Sequence, residues 1–175
     1  MHSVITYGVI MPADIESVAG WQTARVRRPV MILGNLDGVE TGIRQLIREQ
    51  PLETVQVKIA GGEVTVPTLS EILRIKAVLI LKRNATRDYL DFVALAEAMG
   101  DDVVVVALST FDRLYPQPNG QSALQQLQVQ LAKPLPYDLE ETRLSEYKNL
   151  AVRWHDWRQI EAVALRIAAR LLDCL

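Results

Sequence analysis

The fold is decided by residues 66–100, which have the sequence VPTLSEILRIKAVLILKRNATRDYLDFVALAEAMG. Thr68 followed by Glu71 matches the capping-box pattern, in which a hydroxyl and a carboxylate each satisfy a backbone donor at the start of a helix. The apolar residues that follow recur at helical spacing. We therefore expect a helix that runs to about Lys82.

A second helix is predicted directly after the first. Asn84 or Thr86 is the candidate residue to cap its start, and Gly100 suits the position that ends it, because glycine adopts positive φ without steric cost. Residues 66–100 therefore predict two consecutive helices joined by a short connection.

The first of these helices carries a lysine, Lys76, near the middle of its apolar stripe. Burying an unpaired ammonium costs several kcal/mol, so this side chain must reach a carboxylate, a ligand or solvent. One interpretation is a lysine that extends from the edge of the core into water. The other is a lysine that points at a phosphate or a carboxylate in a cleft.

Charged residues also cluster at the start of the second helix. Asp88 and Asp91 are three residues apart and share a face, while Arg87 and Asp91 are four apart and can pair. Arg83 lies in the connection. These residues are either an exposed ion-pair network, which contributes little stability, or half of an active site. Packing of the two helices would bring Lys76 towards the Asp88/Asp91 face.

The rest of the chain divides into a strand-containing part and a helical part. Before residue 67 we expect strands at 4–11, 25–33, 54–59 and 64–66, a turn or short helix at 14–20, a turn at 34–38 and a helix at 39–49. Strand 54–59 alternates apolar and polar residues, so it should be half-buried, with Gly61-Gly62 as a hairpin turn. After residue 100 we expect helices at 103–115, which Asp101 or Asp102 can cap, and at 122–132, 140–148 and 154–172. The predicted class is α/β (α+β), with a boundary between residues 66 and 67.

Composition restricts the classes of function. The 175 residues are 49% hydrophobic and 23% charged, with a net charge of -2, which gives no electrostatic basis for general nucleic-acid binding. Arg25, Arg27 and Arg28 are interpreted as a solvated strand edge, with a phosphate or RNA contact as the alternative. The single cysteine, Cys174, and the lack of a membrane-spanning apolar run predict a cytoplasmic protein without membrane contact.

The string that contains Lys76, Arg83, Arg87, Asp88 and Asp91 resembles the nucleotidyltransferase-like toxins of the AbiEii/AbiGii abortive-infection family. In that family a helix lysine is followed by an arginine in the next connection and by an R-D-x-x-D pattern. The resemblance implies that Lys76, Arg83 and Arg87 bind a nucleotide or phosphate, and that Asp88 and Asp91 are catalytic.

The same resemblance implies a minimal nucleotidyltransferase-like fold, with residues 1–66 as its partial α/β region and 67–175 as its helical region. It also implies a bacterial toxin–antitoxin or phage-defence role, with Mg²⁺ and a nucleoside triphosphate as cofactors if the protein is active. The family's GS or GG turn followed by D-x-D is absent, and we assign no metal ligand. The only D-x-E before residue 60 is Asp14-Ile15-Glu16.

These departures predict a truncated or degenerate family member. The alternative hypothesis is a non-catalytic interaction module that acts as a dimer or with a partner chain. The partners considered at this stage are a nucleotide, an antitoxin or other protein, a second copy of the chain, and RNA.

Overall fold

The computed structural model describes residues 2–6, 12–27, 31–45, 48–147 and 150–172. The chain forms two compact units, residues 1–52 and residues 53–175. The first unit contains a sheet and the second is mainly helical, which confirms the predicted α/β class. The boundary expected after residue 66 follows the change from strand to helix, whereas the compact units divide at residue 52, because the hairpin over residues 54–67 groups with the helices.

The first unit contains a four-stranded sheet and a short helix. Its elements are β1 (His2–Thr6), α1 (Pro12–Glu16), β2 (Trp21–Arg27), β3 (Met31–Leu36) and β4 (Val39–Gln45). The strand order is β1-β4-β3-β2, with β1 parallel to β4 and the other neighbours antiparallel. The strand expected at residues 4–11 is present as far as Thr6, and residues 7–11 lie outside the described part of the chain.

The single strand expected over residues 25–33 is wrong. Strands β2 and β3 are antiparallel and Arg27 pairs with Met31, so the chain reverses direction within this stretch. Continuous β-propensity conceals such a reversal, because propensity carries no information about chain direction. Strand β2 lies at the sheet edge with Arg25 and Arg27 exposed, as predicted. Arg28 lies outside the described residues, and an RNA contact stays a prediction.

The helix expected over residues 39–49 is also wrong, because most of this stretch is strand β4. Asp37 and Gly38 have φ values of 48° and 85°, the positive values that a two-residue type I′ turn requires. That turn matches the twist of a hairpin, so β4 pairs antiparallel with β3. The apolar residues happen to fit helical spacing, but the turn and the β-branched residues of β4 determine the structure.

The second unit begins with a hairpin and continues as helices. Its elements are β5 (Thr54–Ile59), β6 (Gly62–Pro67), α2 (Leu69–Arg83), α3 (Thr86–Met99), α4 (Asp101–Leu108), α5 (Phe111–Leu114), α6 (Ala123–Ala132) and α7 (Trp157–Leu172), with 3₁₀ turns at Leu144–Glu146 and Val152–His155. The predicted hairpin and the helices α2, α3 and α6 are confirmed. The hairpin turn was predicted at Gly61-Gly62 but lies at Ala60-Gly61, because Ile59 pairs with Gly62. The helix expected at 103–115 begins at Asp101 and is interrupted between α4 and α5, and the helix expected at 140–148 is a single 3₁₀ turn within the described residues.

The core of the second unit lies between its helices, with α2 against α3, α4 and α6, and α7 against α3, α4 and α6. Its largest fully buried apolar side chains are Leu73, Ile80, Tyr89, Phe92, Leu108, Phe111, Leu127, Leu131, Ile160, Ile167 and Leu171. In contrast, every residue of β5 is exposed, so its predicted half-burial is wrong. Among the described residues, no helix combines the length and the apolar character needed to cross a membrane.

Candidate functional site

The connection between α2 and α3 holds a buried carboxylate against an arginine. The Asp88 side chain is 0% exposed, and the Arg83 side chain is 40% exposed. The Arg83 Nε atom donates to Asp88 Oδ2 at 2.9 Å, and its Nη2 atom donates to Oδ1. This bidentate geometry matches a guanidinium to both carboxylate oxygens and fixes the orientation of both side chains.

A second ion pair joins the two helices one turn further along α3. The Lys76 Nζ atom donates to Asp91 Oδ2 at 2.6 Å, with the two side chains 26% and 36% exposed. The predicted approach of Lys76 to the Asp88/Asp91 face is therefore confirmed for Asp91. The Arg87 Nε atom lies 3.9 Å from Asp91 Oδ2 in the predicted i,i+4 arrangement, and the Arg87 side chain is 70% exposed.

The start of α3 is capped by a residue from a distant part of the chain. Thr86 is the first helical residue, so the prediction that it is the capping residue is wrong, and the Ala85 side chain before it makes no cap. The backbone nitrogen and the hydroxyl of Thr86 instead each donate to Asp138 Oδ1 at 2.7 Å. A carboxylate here satisfies a free backbone donor and suits the positive end of the helix dipole.

Asn84 ends α2 rather than starting α3. Its φ of 49° places it in the left-handed region, and its backbone nitrogen donates to Ile80 O. Its amide nitrogen donates to Leu135 O at 2.8 Å, and its carbonyl oxygen accepts from the Tyr89 hydroxyl at 2.7 Å. Its backbone oxygen also accepts from Tyr137 N at 3.0 Å, so the connection is tied to residues 135–138.

Two tyrosines near this connection have raised pKa values. Burial raises the pKa of the Tyr89 phenol to about 12. Burial is also the main cause that raises the pKa of Tyr147, followed by the negative charge of Asp138, while the Arg87 guanidinium opposes the shift. Both phenols therefore keep their protons at neutral pH, so they can donate hydrogen bonds but cannot act as bases there.

An open cavity lies beside Tyr147. Its volume is about 240 Å³, and it is lined by Thr142, Arg143, Glu146 and Tyr147. Arg143 and Glu146 form an exposed pair at 3.3 Å, and the Thr142 hydroxyl donates to Asp138 O. The cavity is smaller than the 300 Å³ or more that is usual for a small-molecule site.

The geometry shows what these charged residues do within the fold. Both oxygens of Asp88 accept from Arg83, and Asp91 accepts from Lys76, so each carboxylate that was predicted to be catalytic holds a cation of the same chain. Within the described ranges, no three His, Cys, Asp or Glu side chains are grouped so that they could hold a metal ion. The catalytic and phosphate-binding roles, and the Mg²⁺ and nucleoside triphosphate cofactors, stay predictions.

Sequence reasoning missed one buried ion pair. The Arg74 Nη2 atom lies 3.2 Å from Glu71 Oε2, with the side chains 7% and 1% exposed, and 2.5 Å from Glu53 Oε2. Its Nη1 atom donates to Ala107 O at 3.2 Å. Arg74 thus connects the residue before β5 with α2 and α4. The i,i+3 spacing of Glu71 and Arg74 was the available clue, but on an exposed helix face it would mean little.

The capping box predicted for α2 is half present. Thr68 Oγ1 accepts from Glu71 N at 3.1 Å, as expected. The Thr68 backbone nitrogen, which a capping box would pair with Glu71, donates instead to Glu53 O at 2.9 Å. The Glu71 carboxylate accepts from Glu53 N at 3.3 Å and binds Arg74. Glu53, the residue before the hairpin, therefore supplies one of the partners that the sequence assigned to the helix itself.

Comparison with known proteins points to transport proteins. No protein-family model matches the chain. No solved structure matches it. The chain is 31% identical, over 129 residues, to the mycolic acid-containing lipids exporter MmpL11 of Mycolicibacterium smegmatis. It is 32% identical over the same length to the probable transport protein MmpL11 of Mycobacterium leprae and to the heme uptake protein MmpL11 of Mycobacterium tuberculosis.

Each match covers 72% of this chain but only 12–13% of the relative. The chain thus corresponds to about an eighth of the length of the proteins that it resembles.

These relatives show that the proposed resemblance to AbiEii/AbiGii nucleotidyltransferase toxins is wrong. The nucleotidyltransferase function, the toxin–antitoxin and phage-defence role, and the antitoxin partner inferred from that family are corrected with it. The alternative of a non-catalytic interaction module gains no support from the relatives either. The misleading R-D-x-x-D pattern has a structural explanation. Asp88 and Asp91 pair with Arg83 and Lys76 of α2, as charged residues on any two packed helices could, and Arg87 lies near Asp91 within α3.

Proposed function

We propose that this chain takes part in the transport of a lipid or of another large, mainly apolar molecule, as a domain related to part of MmpL11. The observation that carries the proposal is the 31–32% identity to MmpL11 proteins from three organisms over 72% of this chain. The names of these relatives give two cargo classes, a mycolic acid-containing lipid and heme. Both molecules have an extensive apolar surface.

In this proposal, the ion pairs between α2 and α3 have a structural role. Asp88 is fully buried and holds Arg83 with both oxygens, and Lys76 binds Asp91 across the two helices. Such pairs fix the relative position of two packed helices, because a buried charge tolerates few alternative arrangements. The proposal therefore predicts that Lys76, Arg83 and Asp88 affect transport only as far as they affect folding.

The direct test is a segment exchange in M. smegmatis. The segment of MmpL11 that aligns with this chain is deleted, and the aligned residues of this chain are inserted in its place. Export of mycolic acid-containing lipids is then measured by chromatography of surface-extracted lipid, with the chimera's abundance measured by immunoblot. We expect the deletion to lower export and the insertion to restore most of it.

Two controls make the result interpretable. A chimera with Arg83→Ala tests whether the ion pair at the α2–α3 connection is needed. A chimera with Val106→Ser, at a position 70% exposed, should behave as the unmodified chimera. Heme, the second cargo class, is tested in a strain that can use heme as its iron source. The same segment exchange is made in that strain, and its growth on heme is measured. A chimera that is as abundant as MmpL11 but restores neither export nor heme use would overturn the proposal.

A further inference from the structure

We draw no further inference here: the strongest candidate, the exposed apolar face of the β5–β6 hairpin formed by Val55, Val57, Ile59 and Val64, is an unpartnered sheet face, and nothing in the structure shows what covers it.

Discussion

The α2–α3 helix pair and the β5–β6 hairpin are neighbours in sequence, yet they differ in how they use their apolar residues. The helices bury side chains such as Leu73 and Phe92 completely. The hairpin places Val57 opposite Val64, and these two side chains remain 40% and 38% exposed. Each element has the apolar periodicity of its type, but only the helices have packing partners on that face. Periodicity therefore predicts the type of an element better than it predicts burial.

The same contrast applies to polar groups. The helix pair encloses four buried polar residues of the second unit, Glu71, Arg74, Thr86 and Asp88, and each has a hydrogen-bonding partner. On the hairpin, the Gln56 amide and the Thr65 hydroxyl form an exposed hydrogen bond at 2.8 Å. The loss of a hydrogen-bonding partner costs more stability at a buried group than at an exposed one, because water cannot replace the lost partner in the interior. Mutations should therefore have much larger effects in the helix pair than in the hairpin.

The largest expected effect is that of truncating an aromatic side chain in the helix pair. Phe92 is 0% exposed. We expect Phe92→Ala to lower the free energy of unfolding by about 3–5 kcal/mol, because it removes apolar surface that folding buries and leaves a cavity in its place. Urea denaturation followed by far-ultraviolet circular dichroism, which reports mainly the helices, measures this loss. A loss below about 1 kcal/mol would mean that α3 is not packed as described.

The next largest effect is expected at the Arg83–Asp88 pair. Arg83→Ala leaves the fully buried Asp88 carboxylate without its bidentate partner. We expect a loss of about 3 kcal/mol, at the lower end for a broken buried pair, because Arg83 is partly solvated. Arg87→Ala is the matched control, since Arg87 is 70% exposed and should change stability by less than about 0.5 kcal/mol.

A double-mutant cycle sharpens this second prediction. Adding Asp88→Ala to Arg83→Ala removes the stranded charge, so the double variant should be more stable than Arg83→Ala alone. If the losses of unfolding free energy in Arg83→Ala and Asp88→Ala simply add, then Asp88 is already accessible to water. The contrast between the buried helix pair and the exposed hairpin would then not hold at this position.

A smaller effect is expected where a distant residue caps α3. Asp138→Ala removes the acceptor for both the nitrogen and the hydroxyl of Thr86, and we expect a loss of about 1–2 kcal/mol. Asp138→Asn retains a side-chain oxygen and should lose less. Hydrogen exchange of the Thr86 amide gives a local measurement, because this amide should exchange faster in Asp138→Ala than in the unmodified protein. Unchanged exchange at Thr86 would rule out the cap.

The sequence predicted most of the second unit for local reasons. Thr68 directly precedes α2 and caps it through Glu71, three residues further on, and Gly100 ends α3 at positive φ. A few neighbouring residues of the sequence therefore contain the information that sets these helix ends. The cap of α3 was not predictable in this way. Asp138 lies 52 residues from Thr86 along the chain, and no local pattern relates the two.

The first unit was predicted less well, because two local patterns competed there. The apolar residues of β4 fit a helical period, while the preceding Asp37-Gly38 dipeptide favours a tight hairpin turn. The turn determined the structure. At the candidate site, the sequence predicted the approach of Lys76 to Asp91 but gave the R-D-x-x-D pattern a function that the relatives contradict. Ion pairs between packed helices and ligand-binding charges use the same residue types, so spacing cannot separate them.

The smallest expected effect tests the hairpin side of the comparison with one substitution made at two positions. Val57 is 40% exposed on β5, and Val93 is 0% exposed on α3. Valine to threonine keeps the branched shape and replaces a methyl group with a hydroxyl, so it measures mainly the cost of burying a polar group. We expect Val93→Thr to cost about 1–3 kcal/mol, and Val57→Thr to change stability by less than about 0.5 kcal/mol.

Chemical denaturation of both variants under the same conditions provides the measurement. Equal losses at the two positions would mean that the apolar face of the hairpin is covered in solution, because a hydroxyl that remains in contact with water pays almost no desolvation penalty.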